Sequence, residues 1–226
     1  MKRILIPTLL ALFGCTERER PIEKSSLDTL HKVTTPTVKP SIDTNYTPLS
    51  FKIDRLNTLT IKRAYNAMGN QYHQTFFLND EKVFTDTSNY LVEGSKYSRI
   101  IIDNGQVLFF MECDGRPNFD YLSAYSINIE EKKVTYLSSS VFENNSKSKT
   151  ISFTDIDRDG FIEYGGFDTI EAHPHPDSMY YNPSSFYEIR NGKVKFDSAL
   201  VKKQDIKLNG IYLKNPINIT IRKPKN

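Results

Sequence analysis

Three Asn-Gly pairs, Asn104-Gly105, Asn191-Gly192 and Asn209-Gly210, constrain this chain more than any other feature. Both central residues of a type I′ turn need positive φ, which Asn and Gly tolerate. Such a pair between two apolar runs therefore signals a tight β-hairpin. Ile100–Asp103 and Gln106–Met111 flank the first pair, and "FYEIR" and "KVKFD" flank the second. "LTIKRAY", "RIIIDNGQVLFFMEC", "LSAYSINI" and "KVTYLSSSVF" are short runs rich in β-branched and aromatic residues. A longer turn is expected at Glu131-Lys132. No long segment repeats apolar residues at 3.6 spacing; Leu56 to Ala67 is the expected short helix.

Sequential hairpins imply an antiparallel meander. The fold expected is all-β, as propeller-like blades or a β-sandwich, over residues 49–226. About 175 residues can bury roughly 70% of their unfolded surface, so the body needs no metal merely to fold. No internal repeat is apparent, and the length is short for a closed propeller of four-stranded blades.

The N-terminus has a different character. "MKRILIPTLLALFGC" places Lys2 and Arg3 before an apolar run from Ile4 to Phe13. That run is too short to span a bilayer and has the form of a secretory signal peptide. Leu12-Phe13-Gly14-Cys15 resembles a bacterial lipobox. The resemblance implies a signal peptide over residues 1–14, cleavage before Cys15, lipid on the Cys15 sulfur and a membrane anchor in a bacterial cell envelope. Thr16 in place of Asp after the Cys implies the outer membrane. Lys2 and Arg3 leave with the leader, which takes two of the 30 basic residues and brings the remainder close to the 27 acidic ones. With no Lys/Arg cluster on one periodic face, a nucleic-acid partner is not expected.

Residues 15–48 are rich in Thr, Ser, charge and proline, with Pro21, Pro36, Pro40 and Pro48 interrupting any helix. They are expected to form a disordered N-terminal tether with a reach of about 30 Å. Of the two cysteines, Cys15 is the expected lipid carrier, which leaves Cys113 without a partner inside the chain. Cys113 ends the run "VLFFMEC" and is expected to be a buried, unreactive thiol.

One stretch interrupts the β pattern. "DIDRDGFIEYGGFD", Asp155 to Asp168, carries five acidic residues in fourteen. Asp155, Asp157 and Asp159 alternate, and Gly160 permits the chain to turn sharply after them. Three carboxylates so close would repel one another without a cation, and hard oxygen donors suit Ca²⁺. The loop resembles the DxDxDG calcium loops of FG-GAP or VCBS-type repeats, in which a β-hairpin carries the ion. By that resemblance Asp155, Asp157 and Asp159 are side-chain ligands, Phe161 offers its backbone carbonyl and Glu163 closes the site. Gly166 stands where an EF-hand has its last glutamate, and the flanks read as strands, so a helix–loop–helix is not expected.

Other candidates carry less. "ECDGRPNFD", with Glu112, Asp114 and Asp120, has irregular spacing and is read as an ordinary loop. His173, His175 and Asp177 alternate as a transition-metal set would, but Pro174 and Pro176 extend the chain, and a surface loop is the expectation. Tyr180, Tyr181, Phe186 and Tyr187 offer a carbohydrate platform or, more simply, the two faces of a strand. No nucleophile motif, zinc-binding HExxH or phosphate loop is present. Three classes stay open: a lipid-anchored module binding a protein or glycan with a structural calcium ion, a hydrolase acting on an envelope polymer beside His173, and a purely structural envelope protein.

Overall fold

The computed structural model describes residues 42–43, 46–66, 71–87, 90–115, 119–142, 152–167, 177–216 and 219–222. The expected signal peptide, Cys15 and residues 15–41 of the expected tether lie outside them. Among the described residues no helix is long and apolar enough to cross a membrane.

The body is built of antiparallel sheets, the two largest each from one continuous stretch of chain. The first contains β1 (Ile42–Asp43), β2 (Leu49–Lys52), β3 (Thr58–Asn66), β4 (Gln71–Leu78) and β5 (Glu81–Asp86), with β1 and β2 both pairing to β3. The second contains β6 (Tyr90–Leu91), β7 (Arg99–Asp103), β8 (Gln106–Gly115), β9 (Phe119–Asn128) and β10 (Lys133–Phe142). The third places β13 (Ser185–Arg190) between β11 (Ile162–Gly166) and β14 (Lys193–Phe196). A two-stranded ribbon joins β12 (Ser178–Tyr180) to β15 (Thr220–Arg222), and α1 (Ser198–Asn209) follows β14.

The sheets stack. Leu59, Ile61, Phe76 and Leu78 of the first sheet form one core with Phe109, Met111, Cys113, Tyr125, Ile127 and Val134 of the second. Leu108, Phe110, Leu122 and Ala124, on the opposite face of the second sheet, form another core with Tyr164 and Ile189 of the third. Phe167 and Phe186 then meet Leu200 and Val201 of α1. β8 explains the uninterrupted "VLFFMEC": alternate side chains enter different cores, so both faces must be apolar. Replacing a fully buried ring such as Phe109 by Ala removes about 3–5 kcal/mol. Cys113 is free and fully buried, as expected, and burial pushes its thiol up to about 12.

Two of the Asn-Gly pairs form the expected hairpins. Asn104 and Gly105 have φ of 46° and 74°, and Asn191 and Gly192 have 53° and 73°. The β9–β10 connection also turns where expected, with Lys132 at φ 50°. A further hairpin, between β4 and β5, uses Asn79 and Asp80 at φ 50° and 66°, a pair that a search for Asn-Gly overlooks.

Some local expectations are corrected. Asn209-Gly210 makes no hairpin: Gly210, at φ 72°, caps α1, its N–H donating to the Ile206 carbonyl at 3.0 Å. The same left-handed conformation that closes a hairpin also ends a helix. The helix expected over Leu56–Ala67 is not found among its described residues, 56–66, either. Thr58–Asn66 is strand β3, in which Leu59, Ile61 and Arg63 are buried and Lys62 is exposed, the alternation of a half-buried strand. Ile42 and Asp43, placed in the expected tether, pair with Asn66 and Tyr65 of β3, so sheet structure begins before residue 49.

Candidate metal centre

The acidic stretch is a loop pinched at its neck. Phe153 N–H donates to the Glu163 carbonyl at 2.7 Å, and Glu163 N–H donates to the Thr154 carbonyl at 2.9 Å. Residues 155–162 are thereby closed on themselves. Inside, the Asp155 carboxylate accepts from Asp159 N–H at 3.0 Å and from Gly160 N–H at 3.1 Å, while Asp159 Oδ1 accepts from Phe161 N–H at 3.0 Å. These bonds satisfy a backbone that no strand can pair. Gly160 sits at φ 93°, a conformation costly for any residue with a Cβ. Ile156 packs against the apolar contact between the third sheet and α1 and fixes the loop from below.

The result is a convergence of carboxylates. Asp155, Asp157, Asp159 and Glu163 each present an oxygen, and these atoms all lie within 4.8 Å of one another. Glu163 comes from β11, whose next residue, Tyr164, enters the core beneath the second sheet; strand alternation sends Glu163 to the other face. Glu163 is wholly buried. Its Oε2 accepts from Ile156 N–H at 2.5 Å, whereas its Oε1 and Asp157 Oδ1 are buried with no hydrogen-bond partner.

Uncompensated charge is costly in such a place. Burial, and then the charges of Asp157, Asp159 and Asp155, push the Glu163 carboxyl up to about 7, against the pull of Ile156 N–H. Burial, then Asp159 and Asp197, raise Asp157 as well, with Lys203 opposing. A proton or a metal ion would relieve Glu163 and Asp157, whereas Asp155 and Asp159 are exposed to solvent. Four converging hard oxygen donors, two with buried lone pairs directed at nothing, could hold a metal ion.

The structure therefore brings Asp155, Asp157, Asp159 and Glu163 together and places Phe161 in the same loop. It adds Arg190, which sequence reading missed. Arg190 Nη2 lies 2.7 Å from Asp159 Oδ2 and 2.8 Å from Glu188 Oε2, and the guanidinium sits 3.7 Å from the Phe161 ring centre. The signal was indirect. Only the register that sets Ile162 opposite Ile189 carries Arg190, at the end of β13, to the loop.

The other candidates stand apart from this site or outside the described residues. His173 and His175 lie outside the described residues, and Asp177 is exposed. The four aromatic residues make no common platform. Tyr180 is exposed on β12, while Tyr181 is buried, its hydroxyl donating to Asp205 Oδ2 at 2.8 Å and accepting from Leu213 N–H at 3.1 Å. Phe186 is buried against α1, and Tyr187, on the opposite face of β13, stacks on Tyr164 at 5.5 Å. The described ends of "ECDGRPNFD" are strand and not loop: Glu112 and Asp114 are in β8, and Asp114 lies opposite Asp120 of β9.

Compared with known protein families, with curated proteins and with solved structures, the chain matches none.

Proposed function

We propose that this protein is a lipid-anchored component of a bacterial envelope, that its β-rich body is a binding or interaction module, and that the acidic loop holds Ca²⁺ as a structural ion. The observation that carries the calcium reading is the burial of Glu163 Oε1 and Asp157 Oδ1 without partners inside a ring of four carboxylates. Oxygen donors of this hardness suit Ca²⁺, which tolerates irregular coordination, better than Mg²⁺ with its stricter octahedron. The chemistry assigned to the ion is neutralisation: it ties the two arms of the loop together and does no catalysis.

Anchoring rests on the leader ending in Leu-Phe-Gly-Cys15. Lipid on Cys15 would hold the body at the membrane, and several acyl chains together give stable attachment where one does not. Radiolabelled palmitate is expected to enter the wild type and not Cys15→Ala; equal labelling of both removes the anchor. A binding role draws on a cavity of about 210 Å³ over the first sheet, between Tyr46, Pro48, Lys62 and Phe77. It is smaller than the usual pocket for a whole small molecule and fits one side chain or sugar unit of a larger ligand.

The calcium reading is tested by melting the protein in calcium, in magnesium and in chelator. With a dissociation constant near ~0.1 mM and ~1 mM ion, linkage supplies about 1.4 kcal/mol. That raises the melting temperature by about 3–6 °C in a domain of this size. Asp157→Ala should abolish the rise. A wild-type transition that ignores calcium up to several millimolar contradicts the reading.

A further inference from the structure

The acidic loop already has one cation beside it. Arg190 reaches Asp159 from another strand, and it does so with the same nitrogen that it offers to Glu188: Nη2 lies 2.7 Å from Asp159 Oδ2 and 2.8 Å from Glu188 Oε2. Its plane also covers the Phe161 ring at 3.7 Å. The guanidinium therefore has three supports, of which only Asp159 belongs to the carboxylate cluster. Glu188 and Phe161 would keep Arg190 in place if Asp159 turned away.

The four carboxylates are not equivalent toward this group. Asp155 is occupied by the backbone N–H groups of Asp159 and Gly160. Asp157 Oδ1 and Glu163 Oε1 are buried and have no hydrogen-bond partner. Asp159 carries the ion pair with Arg190. A metal ion entering the cluster would draw on Asp159 and would meet the guanidinium's positive charge at close range.

We infer that Arg190 is a resident counter-ion that competes with the metal for Asp159, so that ion binding hands Asp159 from Arg190 to the metal while Glu188 and Phe161 retain the guanidinium. This inference rests on the metal reading of the loop. It assigns Arg190 two opposed effects. In the ion-free protein it offsets part of the repulsion among the carboxylates and holds the loop shut. Toward the incoming ion it is a like charge that lowers affinity, setting the site to respond at higher ion concentration than the bare carboxylates would.

The two effects separate experimentally. Calcium binding to the purified protein is followed by titration calorimetry for the wild type, Arg190→Gln and Arg190→Lys, and each is melted in chelator. A unit charge a few ångströms from a divalent ion at a partly exposed site is expected to change its affinity about three- to tenfold. Arg190→Gln should therefore bind calcium about three- to tenfold more tightly and melt lower in chelator. Arg190→Lys, which keeps the charge and loses the planar stack on Phe161, should stay within about twofold of the wild type in affinity. The gain in Arg190→Gln should shrink as salt is raised, because screening weakens the repulsion it removes. A merely structural arginine would lower the melting temperature with and without calcium and leave affinity unchanged or weaker. Calcium binding by the wild type with equal or weaker binding by Arg190→Gln overturns the counter-ion role and leaves the metal site standing. No binding by the wild type at several millimolar calcium overturns both.

Discussion

Among the described residues two glutamates are buried, and they are buried in opposite ways. Glu112, on β8, is 5% exposed, and Glu163, on β11, is 0% exposed. Glu112 Oε2 accepts a hydrogen bond from the Ser95 hydroxyl. That hydroxyl oxygen in turn accepts from Tyr97 N–H and Ser98 N–H at 2.9 and 3.0 Å. Burial still raises the Glu112 carboxyl, and Asp120 adds to this, but Ser95 and Lys96 pull the other way. Glu163 has one backbone N–H, an oxygen without a partner, and three aspartates for neighbours. A buried carboxylate that its own surroundings satisfy is part of the architecture. One that they leave unsatisfied, among like charges, could hold a metal ion.

Substitutions can break this contrast from either side. The largest effect is expected on the Glu163 side at Gly165. This residue sits at φ 137°, and a Cβ there would fall 2.0 Å from the Ser185 carbonyl oxygen. Gly165→Ala should cost about 3 kcal/mol or more by pushing β11 off β13, measured by denaturant unfolding. A loss below about 1 kcal/mol would mean that β11 is not held in this register. On the other side, Glu112→Ala removes the acceptor of the Ser95 hydroxyl and should cost about 1–3 kcal/mol, equally with and without calcium. If calcium changed that cost, Glu112 would belong to the ion's surroundings.

A smaller effect concerns pH. The Glu163 carboxyl sits at about 7 in the folded chain against an ordinary 4.5. The folded state therefore keeps a proton that the unfolded chain gives up first. This contribution to ion-free stability is fully present below about pH 4.5 and is lost as the pH rises to about 7. In chelator, melting temperature should fall across that window. Glu163→Gln should flatten the fall, and calcium should oppose it, because the ion binds the deprotonated form. A wild type and a Glu163→Gln variant with the same pH profile would show that Glu163 is not held against ionisation.

What the sequence could disclose followed the range of each signal. The acidic loop was legible because its aspartates and Gly160 fall within six residues and its geometry is set by its own backbone. β8 was legible because a strand buried on both faces writes an unbroken apolar run. Arg190 was not, since its place depends on register between strands far apart in the chain. α1 was missed for a different reason. "SALVKKQDIKLN" buries Leu200, Val201, Gln204 and Asp205, and half of that face is polar. Asp205 is paid for by the Tyr181 hydroxyl and Ser184 N–H, partners that periodicity cannot reveal. The helix's own start and stop signals, Asp197 as N-cap and Gly210 as C-cap, were present, but Asn209-Gly210 fits a hairpin equally well when read alone.

The difference between the two glutamates is tested most directly by counting ions. Equilibrium dialysis of the folded protein against radioactive calcium, at neutral pH and near-physiological salt, gives both stoichiometry and affinity. The expected result is one calcium per chain for the wild type and for Glu112→Gln, and loss of that ion in Glu163→Gln at the same free calcium. No bound calcium in the wild type at several millimolar, or undiminished binding in Glu163→Gln, would contradict the assignment of the buried Glu163 to a metal site.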